Sequence, residues 1–358
     1  MLWLLSILKF QSMNSKLQAQ FQERTLSGQR QTNFDVVRVF ACVAVITAHV
    51  STWVIYNNPS LENPQWWISN FFDAAMRWPV PVFIMVTGAL LIPKARATTV
   101  QNFWRQRLPR VIVLAVSWSG IYVFISHFIT HNLNHVGFML AAMGDQPFYH
   151  LWYLYLAILL YILIPFVQKA LDRIGLQSIV LMIILSLVIS TVAGWPEFGG
   201  RYTAFTVFAY VAYLAIGYIV CNLPKLSKRG FIINSAIVCL CWMTSSALSA
   251  VLLPRFGSAG WEFMFSMTQG LVAIMAIAVI RLLLSIEWQF NVAPLARLTL
   301  GIYAVHPLWV LALSKIDITG FTFGPALGIP LTSALVFWLS AATAFLLSKV
   351  KVLRAVVS

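Results

Sequence analysis

Ten apolar runs, each about as long as one membrane crossing, constrain this chain more than any other feature of its sequence. An α-helix crosses the hydrocarbon core of a bilayer with about 20 consecutive, mostly apolar residues. The runs therefore predict an all-α fold, a polytopic membrane helix bundle with about ten transmembrane helices. The predicted spans lie near residues 36–56, 76–93, 110–130, 150–168, 177–194, 203–221, 231–253, 263–284, 296–314 and 327–348.

The composition agrees with a membrane protein. Of the 358 residues, 60% are apolar and 9% are charged, whereas a soluble globular protein is close to half apolar and a quarter charged. Too few polar side chains are present to cover a water-exposed surface of this size. The composition thus excludes a soluble enzyme, a disordered chain and a disulfide scaffold.

The basic residues alternate in number from one connection to the next. Odd-numbered segments, counted from the N-terminus, hold 20 of the 24 basic and four of the ten acidic residues; even-numbered segments hold four basic and six acidic residues. Cytoplasmic loops carry the excess of Lys and Arg, so we expect a face of charge +16 in the cytoplasm, together with both termini. The overall charge of +14 records orientation, and no nucleic-acid partner is expected.

The chain is predicted to hold one membrane domain between two short segments. Residues 1–33 form a cytoplasmic N-terminal tail, 34–348 the transmembrane domain, and 349–358 a short basic cytoplasmic tail. The apolar start lacks a basic beginning and a small-residue cleavage site, so it is not interpreted as a signal peptide. Met1 and Met13 are alternative translation starts.

The second predicted span is the weakest, because its apolar core is short and carries Pro79 and Pro81. Proline removes a backbone donor and kinks or breaks a helix. Membrane proteins tolerate such breaks where neighbouring protein satisfies the backbone. A kinked or partly re-entrant segment is therefore one expectation for this span.

Ionisable groups at membrane depth are costly and are candidates for function. In the first helix, Arg38 and His49 are eleven residues apart, which is about three turns and places both on one face. They are separated by about 16 Å along the helix axis. Asp35 lies three residues before Arg38 and can pair with it. The alternative is a helix-end anchor followed by a hydrogen-bonded core histidine.

Two further histidines lie in or beside predicted spans. His306 falls near mid-membrane in the ninth span, with Tyr303 one turn earlier and a proline after it. It is either catalytic or bonded to a neighbouring helix. His150 begins the fourth span among aromatic residues, which favours a structural or substrate-lining role at the outer interface.

A basic segment leads into the third span. Arg107 and Arg110 are three residues apart, so they can face one way and bind phosphate bidentately. A positive-inside anchor has the same appearance in sequence and is the stronger interpretation from composition alone.

No metal site is predicted. His127, His131 and His135 have a four-residue spacing that resembles metal ligation, but the acid nearest to them, Asp145, is distant in sequence. A solvated external loop is the favoured interpretation of this ladder.

Several of these fragments together resemble the acyltransferase-3 family of integral membrane O-acyltransferases. The family's Arg-x10-His pattern is similar to Arg38 and His49, and its Arg-x-x-Arg motif is similar to Arg107 and Arg110. Residues 80–90, 150–154 and 301–307 resemble three further family signatures, with Thr87 and Ala89 departing from the usual serine and tyrosine. Within the family, the chain looks most similar to the enterobacterial common antigen and related surface-glycan O-acetyltransferases.

The resemblance implies an enzyme of the bacterial inner membrane that moves an acetyl group from cytoplasmic acetyl-CoA, or another acyl-CoA, to a sugar hydroxyl of a surface or lipid-linked polysaccharide. The acyl-CoA is a co-substrate and no permanently bound cofactor is expected. The partners are the lipid bilayer, acyl-CoA and a glycan acceptor.

The resemblance also assigns roles to residues. Arg107 and Arg110 would hold the CoA phosphates. His49 would act as a general base or as a covalent acetyl carrier. Asp35 and Arg38 would support it, while His150, Tyr303 and His306 would line the passage or the substrate.

The main alternative is a transporter or translocase of a lipid-linked glycan or small molecule. Such carriers often show two pseudo-repeated halves with broken helices in matching positions. Only the second span looks broken here, and no matching segment is evident in the other half.

Overall fold

A computed structural model of the chain describes residues 28–57, 60–130, 150–198, 204–351 and 353–357. Within these ranges the regular structure is helical. The α-helices are α1 Gly28–Asn57, α2 Pro64–Ala75, α3 Pro79–Arg96, α4 Val100–Thr130, α5 Trp152–Arg173, α6 Leu176–Ala193, α7 Ala204–Val220, α8 Lys228–Phe256, α9 Ser258–Met264, α10 Gly270–Ser285, α11 Ala293–Ser314 and α12 Pro325–Lys349, with short 3-10 turns at Pro196–Phe198 and Leu353–Val356.

The predicted all-α polytopic bundle is confirmed. Within the described residues, eight helical segments are long and apolar enough to cross a membrane. They coincide with eight of the ten predicted spans. The other two predicted spans correspond to the shorter apolar helices α7 and α10. The number of crossings and the cytoplasmic position of both termini stay predictions.

The second span begins at a helix break. Helix α2 ends at Ala75 and α3 begins at Pro79, so the two prolines that weakened this span in the sequence lie in the first turn of a new helix. Proline is tolerated there because the first amides of a helix have no intrahelical acceptor. Pro93 lies further along α3, inside the helix.

The described residues divide into two compact units. Unit 1 takes the chain up to Ala41, residues 77–90 and residues 169–296, and unit 2 takes residues 42–76, 91–168 and 297–358. Each unit is described by itself below.

Unit 1 is organised around α10, in which half of the residues are buried. Helix α8 packs against α10 and α9, and α6 packs against α7. Helices α3 and α7 cross with their backbones in direct contact. A Cβ at Gly88 would lie 2.1 Å from the carbonyl oxygen of Leu214, and one at Gly217 would lie 2.0 Å from that of Met85. Small residues permit this kind of close crossing between membrane helices.

Arg281 closes one end of unit 1. Its guanidinium donates to the carbonyl oxygens of Val220 at 3.2 Å, Leu223 at 3.3 Å and Pro224 at 2.6 Å. The last carbonyls of a helix lack intrahelical donors, and a cation at this end also opposes the negative end of the helix dipole. A residue counted in the sequence as a cytoplasmic charge is therefore a buried cap for the end of α7.

Unit 2 is held together by α12 and by the segment that follows it. Helix α12 packs against α2 and against the 3-10 turn at Leu353–Val356, which also contacts α4. The indole of Trp118 donates to the carbonyl of Val356 at 2.7 Å, and Val357 is fully buried. The predicted basic tail after residue 348 is thus partly packed against the membrane helices.

Candidate active site

Three histidines from separate parts of the sequence meet in unit 2. His49 on α1 stacks on His306 of α11, with ring centroids 5.3 Å apart and ring planes inclined by 23°. His150, just before α5, presents its ring edge to His306 at a centroid distance of 5.5 Å. We call these three residues the histidine cluster.

The members of the cluster differ in exposure. His306 and His150 are buried, at 0% and 1% exposure, whereas His49 is half-buried. A reactant therefore reaches the cluster at the His49 side. The aromatic rings of Tyr303 and Tyr122 cover His150, at centroid distances of 5.4 Å and 4.9 Å.

Pro307 determines how His306 is hydrogen bonded. In an α-helix the carbonyl of residue 303 accepts from the amide of residue 307, and proline has no amide hydrogen. That Tyr303 carbonyl lies 2.6 Å from Nδ1 of His306 instead. Because a carbonyl oxygen only accepts, Nδ1 carries the proton, and the lone pair of the neutral ring is on Nε2. Nε2 is buried and lacks a hydrogen-bond partner in the part of the chain that the structure describes, so it can act as a base.

Tyrosine hydroxyls fix the surrounding backbone. The hydroxyl of Tyr303 donates to the carbonyl of His150, and that of Tyr122 donates to the carbonyl of Ala304 at 2.8 Å. These bonds connect α11 to the start of α5 and to α4. Sequence reasoning predicted Tyr303 as a lining residue and missed Tyr122. The available signal was a hydroxyl in the middle of an apolar run, where it needs a partner.

The predicted pair at the start of the first helix forms. Arg38 Nη1 lies 3.3 Å from Asp35 Oδ1, with the side chain of Asp35 the more buried of the two. Helix α1 is continuous from Gly28 to Asn57, as the spacing argument for Arg38 and His49 requires. Both residues belong to unit 1, and their catalytic support of His49 stays a prediction.

Arg107 and Arg110 lie in the first third of α4, where Arg107 is half-buried and Arg110 exposed. Neither side chain has an ion pair or hydrogen bond to another described residue. Both guanidinium groups can therefore bind an added anion. The same helix carries Tyr122, which contacts the histidine cluster.

A buried acid escaped the sequence reasoning. Asp73 of α2 is fully buried and accepts a hydrogen bond of 3.0 Å from the hydroxyl of Thr52, three residues after His49 on α1. It was counted only as an outer-face charge. Ser69, Asn70 and Asp73 share one buried face of α2, and this polar stripe at helical spacing was the available signal.

The histidines with four-residue spacing, which were considered as metal ligands, lie partly outside the described residues. His131, His135 and Asp145 are not described, nor is the side chain of His127. Among the side chains that are described, no group of three or more His, Cys, Asp or Glu could hold a metal ion.

The fold and this site define a multi-pass α-helical membrane protein in which three imidazoles meet and two arginines of α4 lack partners among the described residues. The family model of the acyltransferase-3 family, described as an acyltransferase domain, matches residues 31–348. This chain belongs to the acyltransferase-3 family, and its class is a membrane acyltransferase.

A more distant similarity to a curated protein gives less information about this chain. An amino-acid racemase from Enterococcus faecalis is 21% identical over 321 residues, which cover 80% of this chain and 42% of that protein. The chain spans about two fifths of the length of that curated relative. No solved structure matches the chain.

Proposed function

We propose that this membrane acyltransferase is an O-acetyltransferase of the bacterial inner membrane, which transfers an acetyl group from cytoplasmic acetyl-CoA to a sugar hydroxyl of a surface or lipid-linked polysaccharide. Surface-glycan enzymes such as those for enterobacterial common antigen are the expected functional neighbours. Family membership supports the enzyme over the transport alternative.

The observation that carries the proposal is the stack of His49 on His306. A neutral imidazole is the most frequent general base in enzymes, and it must reach the proton that it removes. His49 has the exposure that a substrate needs, and the tautomer of His306 leaves a basic Nε2 behind it.

The proposed reaction needs one imidazole, which accepts a proton and later donates it. A sugar hydroxyl gives its proton to His49 while its oxygen bonds to the thioester carbonyl carbon. The carbon–sulfur bond then breaks, and the departing sulfur takes the proton from the imidazolium. The products are an O-acetyl sugar and free CoA, and His49 returns to its neutral state.

The distance along α4 suits a donor that enters from the arginine end. Twelve residues separate Arg110 from Tyr122, a rise of about 18 Å. The CoA arm from pyrophosphate to sulfur has twelve bonds, equivalent to about four extended residues or roughly 14 Å. The reach of an arginine side chain closes the remaining gap. With its phosphates at Arg107 and Arg110, acetyl-CoA thus brings its thioester to the level of Tyr122, beside His150.

The test is acetyl transfer by the purified full-length protein in lipid nanodiscs, with radiolabelled acetyl-CoA and a surface-polysaccharide fraction as acceptor. His49→Ala should lower the transfer rate by about 10²–10⁴-fold, the usual contribution of a general base, with unchanged membrane abundance and elution volume. Transfer within threefold of the wild type would overturn the role of His49.

The donor site has its own matched control. Arg107→Glu or Arg110→Glu should raise the concentration of acetyl-CoA needed for half-maximal rate, whereas Lys228→Glu, another basic residue outside α4, should not. An equal effect at Lys228 would favour simple positive-inside anchoring.

The covalent alternative needs a separate measurement. Acid quenching after incubation with acetyl-CoA, without acceptor, traps an acetyl group on the protein if His49 is the carrier. A burst of one acetyl group per chain, lost in His49→Ala, would establish the carrier route. Its absence alongside normal turnover supports direct transfer.

A further inference from the structure

A cavity of about 560 Å³ opens at the far end of α1 and α11, within unit 2. Its volume is within the usual range for small-molecule sites. The residues that line it and carry recognition chemistry are Trp53, Asn57, Lys315, Asp317, Thr319 and Phe321. We call it the Trp53 cavity. None of these residues has a role in the proposed chemistry.

The cavity lies directly beyond the histidine cluster on two shared helices. Trp53 is one turn after His49 on α1, a rise of about 6 Å. Leu311, which also lines the cavity, is five residues after His306 on α11, a rise of about 7.5 Å. With α1 running outward from the cytoplasm, as the charge pattern predicts, the Trp53 cavity is at the outer end of the helices, opposite to the arginines of α4.

The loop that forms one wall is held firmly in place. Gly320 packs so closely against α1 that a Cβ there would lie 2.6 Å from a methyl carbon of Val54. The hydroxyl of Thr332 on α12 donates to the carbonyl of Thr319 at 2.9 Å, and that of Thr322 donates to the carbonyl of Asp317 at 3.1 Å. The loop is thereby preorganised opposite Trp53.

The backbone of Asp317 is in the left-handed region, with φ of 58°. Aspartate and asparagine adopt this conformation more readily than other side chains, but it still carries strain. The side chains of Lys315 and Asp317 make no ion pair or hydrogen bond with another described residue. One positive and one negative group are therefore available at the rim.

These groups match one ligand chemistry. The exposed indole of Trp53 offers a flat apolar face with a polar edge, which suits the C–H face of a pyranose ring. Asp317 accepts hydrogen bonds from hydroxyls, Lys315 donates them, and the side-chain amide of Asn57 has both donor and acceptor atoms. The opposite charges cancel, so the cavity has no preference for a polyanion such as a free nucleotide.

We infer that the Trp53 cavity is the acceptor subsite, which binds a pyranose unit of the glycan from the outer side and directs one hydroxyl toward His49. This inference rests on the proposed function, because it names the binding site for the acceptor of that reaction. Trp53 and Asp317 are binding and specificity residues in this scheme, and neither takes part in proton transfer.

The experiment uses the full-length protein in nanodiscs, radiolabelled acetyl-CoA and the surface-polysaccharide fraction at varied concentration. Trp53→Ala and Asp317→Asn should each raise the acceptor concentration at half-maximal rate by tenfold or more, with the value for acetyl-CoA unchanged. Asparagine tolerates the left-handed backbone, so Asp317→Asn changes the charge without changing the loop.

Matched controls distinguish a role in acceptor binding from anchoring of the protein at the membrane interface. Trp67 on α2 is exposed to nearly the same degree as Trp53, at 45% against 41%, and it does not line the cavity. Trp67→Ala and Glu62→Gln should behave like the wild type. Equal effects from Trp53→Ala and Trp67→Ala would overturn the inference, since both would then be interfacial anchors.

A second readout is independent of acyl transfer. Lys315 is exposed and reacts with a water-soluble amine-specific ester, which mass spectrometry locates. The polysaccharide fraction should slow this modification at least threefold in the wild type and not in Asp317→Asn. Protection of Lys315 without acetyl transfer would support the subsite and overturn acetyl-CoA as the donor. Acetyl transfer without protection, together with wild-type kinetics in Trp53→Ala and Asp317→Asn, would overturn the subsite alone. Absence of both would overturn both.

Discussion

In unit 1 the buried guanidinium of Arg281 has three carbonyl partners, whereas in unit 2 Nε2 of His306 has none among the described residues. Both groups lie among apolar helices, where an unsatisfied polar group costs free energy. In unit 1 the hydrogen bonds of Arg281 and the close glycine crossing serve the fold itself. In unit 2 the basic nitrogen of His306 has no such structural partner among the described residues. The comparison therefore asks which buried polar side chains stabilise the bundle and which serve the proposed reaction.

The largest effect that sharpens this comparison is expected at the glycine crossing of unit 1. Gly88→Ala places a methyl group against backbone atoms of Leu214 that no rotamer change can move. We expect a loss of about 3 kcal/mol or more, the upper end for overpacking, and a protein that aggregates on extraction. Gly120→Ala on α4, where nothing lies within 4 Å, is the control. Fluorescence-detected size-exclusion chromatography compares the two, and equal elution would contradict a tight crossing.

The next effect belongs to unit 2 and concerns activity instead of folding. His306→Gln keeps a donor for the Tyr303 carbonyl but removes the basic nitrogen. We expect the acetyl-transfer rate to fall by about tenfold, less than in His49→Ala because His49 is the base in the proposed reaction, with little change in melting temperature. A large fall in melting temperature together with a small fall in rate would instead make His306 a structural residue, like Arg281.

Arg281 tests the structural side of the comparison. Arg281→Lys retains the positive charge but cannot reach three carbonyls with a planar fork. If capping is the role, the variant loses about 1.5–3 kcal/mol, the range for hydrogen bonds to a charged group. If charge alone matters, Arg281→Lys has the melting temperature of the wild type and only Arg281→Gln has a lower one. Thermal unfolding in detergent measures both variants.

Pro307 tests whether the tautomer of His306 is set by its neighbour. Pro307→Ala adds an amide that competes with His306 Nδ1 for the Tyr303 carbonyl. One hydrogen bond of about 0.5–1.5 kcal/mol corresponds to a fall in rate of roughly twofold to tenfold, with a shifted pH–rate profile. Pro165→Ala inside α5 is the matched control. Nitrogen chemical shifts of labelled histidine report the tautomer, and an unchanged His306 signal would contradict the assignment.

The smallest effect is expected at an exposed pair of unit 1. Lys225 donates a hydrogen bond of 2.7 Å to Glu287 and thereby lowers the pKa of that carboxyl below its ordinary value. The stabilisation is present above the pKa of an unfolded glutamate, about 4.3, and is lost as the pH falls through the lower folded value. Glu287→Gln should lower the melting temperature slightly at neutral pH and leave it unchanged below the folded pKa, where the wild-type carboxyl is protonated too. A melting temperature at neutral pH no lower than that of Glu62→Gln would contradict this.

Much of the fold could be predicted because it depends on local sequence. Each of the ten apolar runs corresponds to an apolar helical segment, and the two prolines marked the break before α3, whereas α2 and the short α9 were not predicted as separate helices. The spacing of Asp35 and Arg38 predicted their ion pair. The function of Arg281 could not be predicted, because its partners lie at the end of α7 and just beyond it, and helical periodicity says nothing about contacts between distant helices.

The candidate site was predictable as a set of residues and not as an arrangement. His49, His150 and His306 each stood out as costly groups near or within membrane helices, but nothing local indicates that their rings meet. Asp73 and the loop residue Asp317 were treated as outer-face charges, since burial and cavity formation depend on tertiary packing. The hydrogen bond from His306 to the Tyr303 carbonyl could have been inferred from Pro307, because it follows from helix geometry alone.

The crossing of Gly88 and Gly217 also bears on how the protein is made. Helices α4 and α5 are synthesised after α3 and before α7, and they belong largely to unit 2. At roughly 5–20 residues per second, α7 follows α3 out of the ribosome by about ten seconds. During that interval Gly88 lacks the helix against which it packs in the folded protein. Unit 1 then still needs α8 and α10, and unit 2 needs α11 and α12, so neither unit can be completed before the last third of the chain is made.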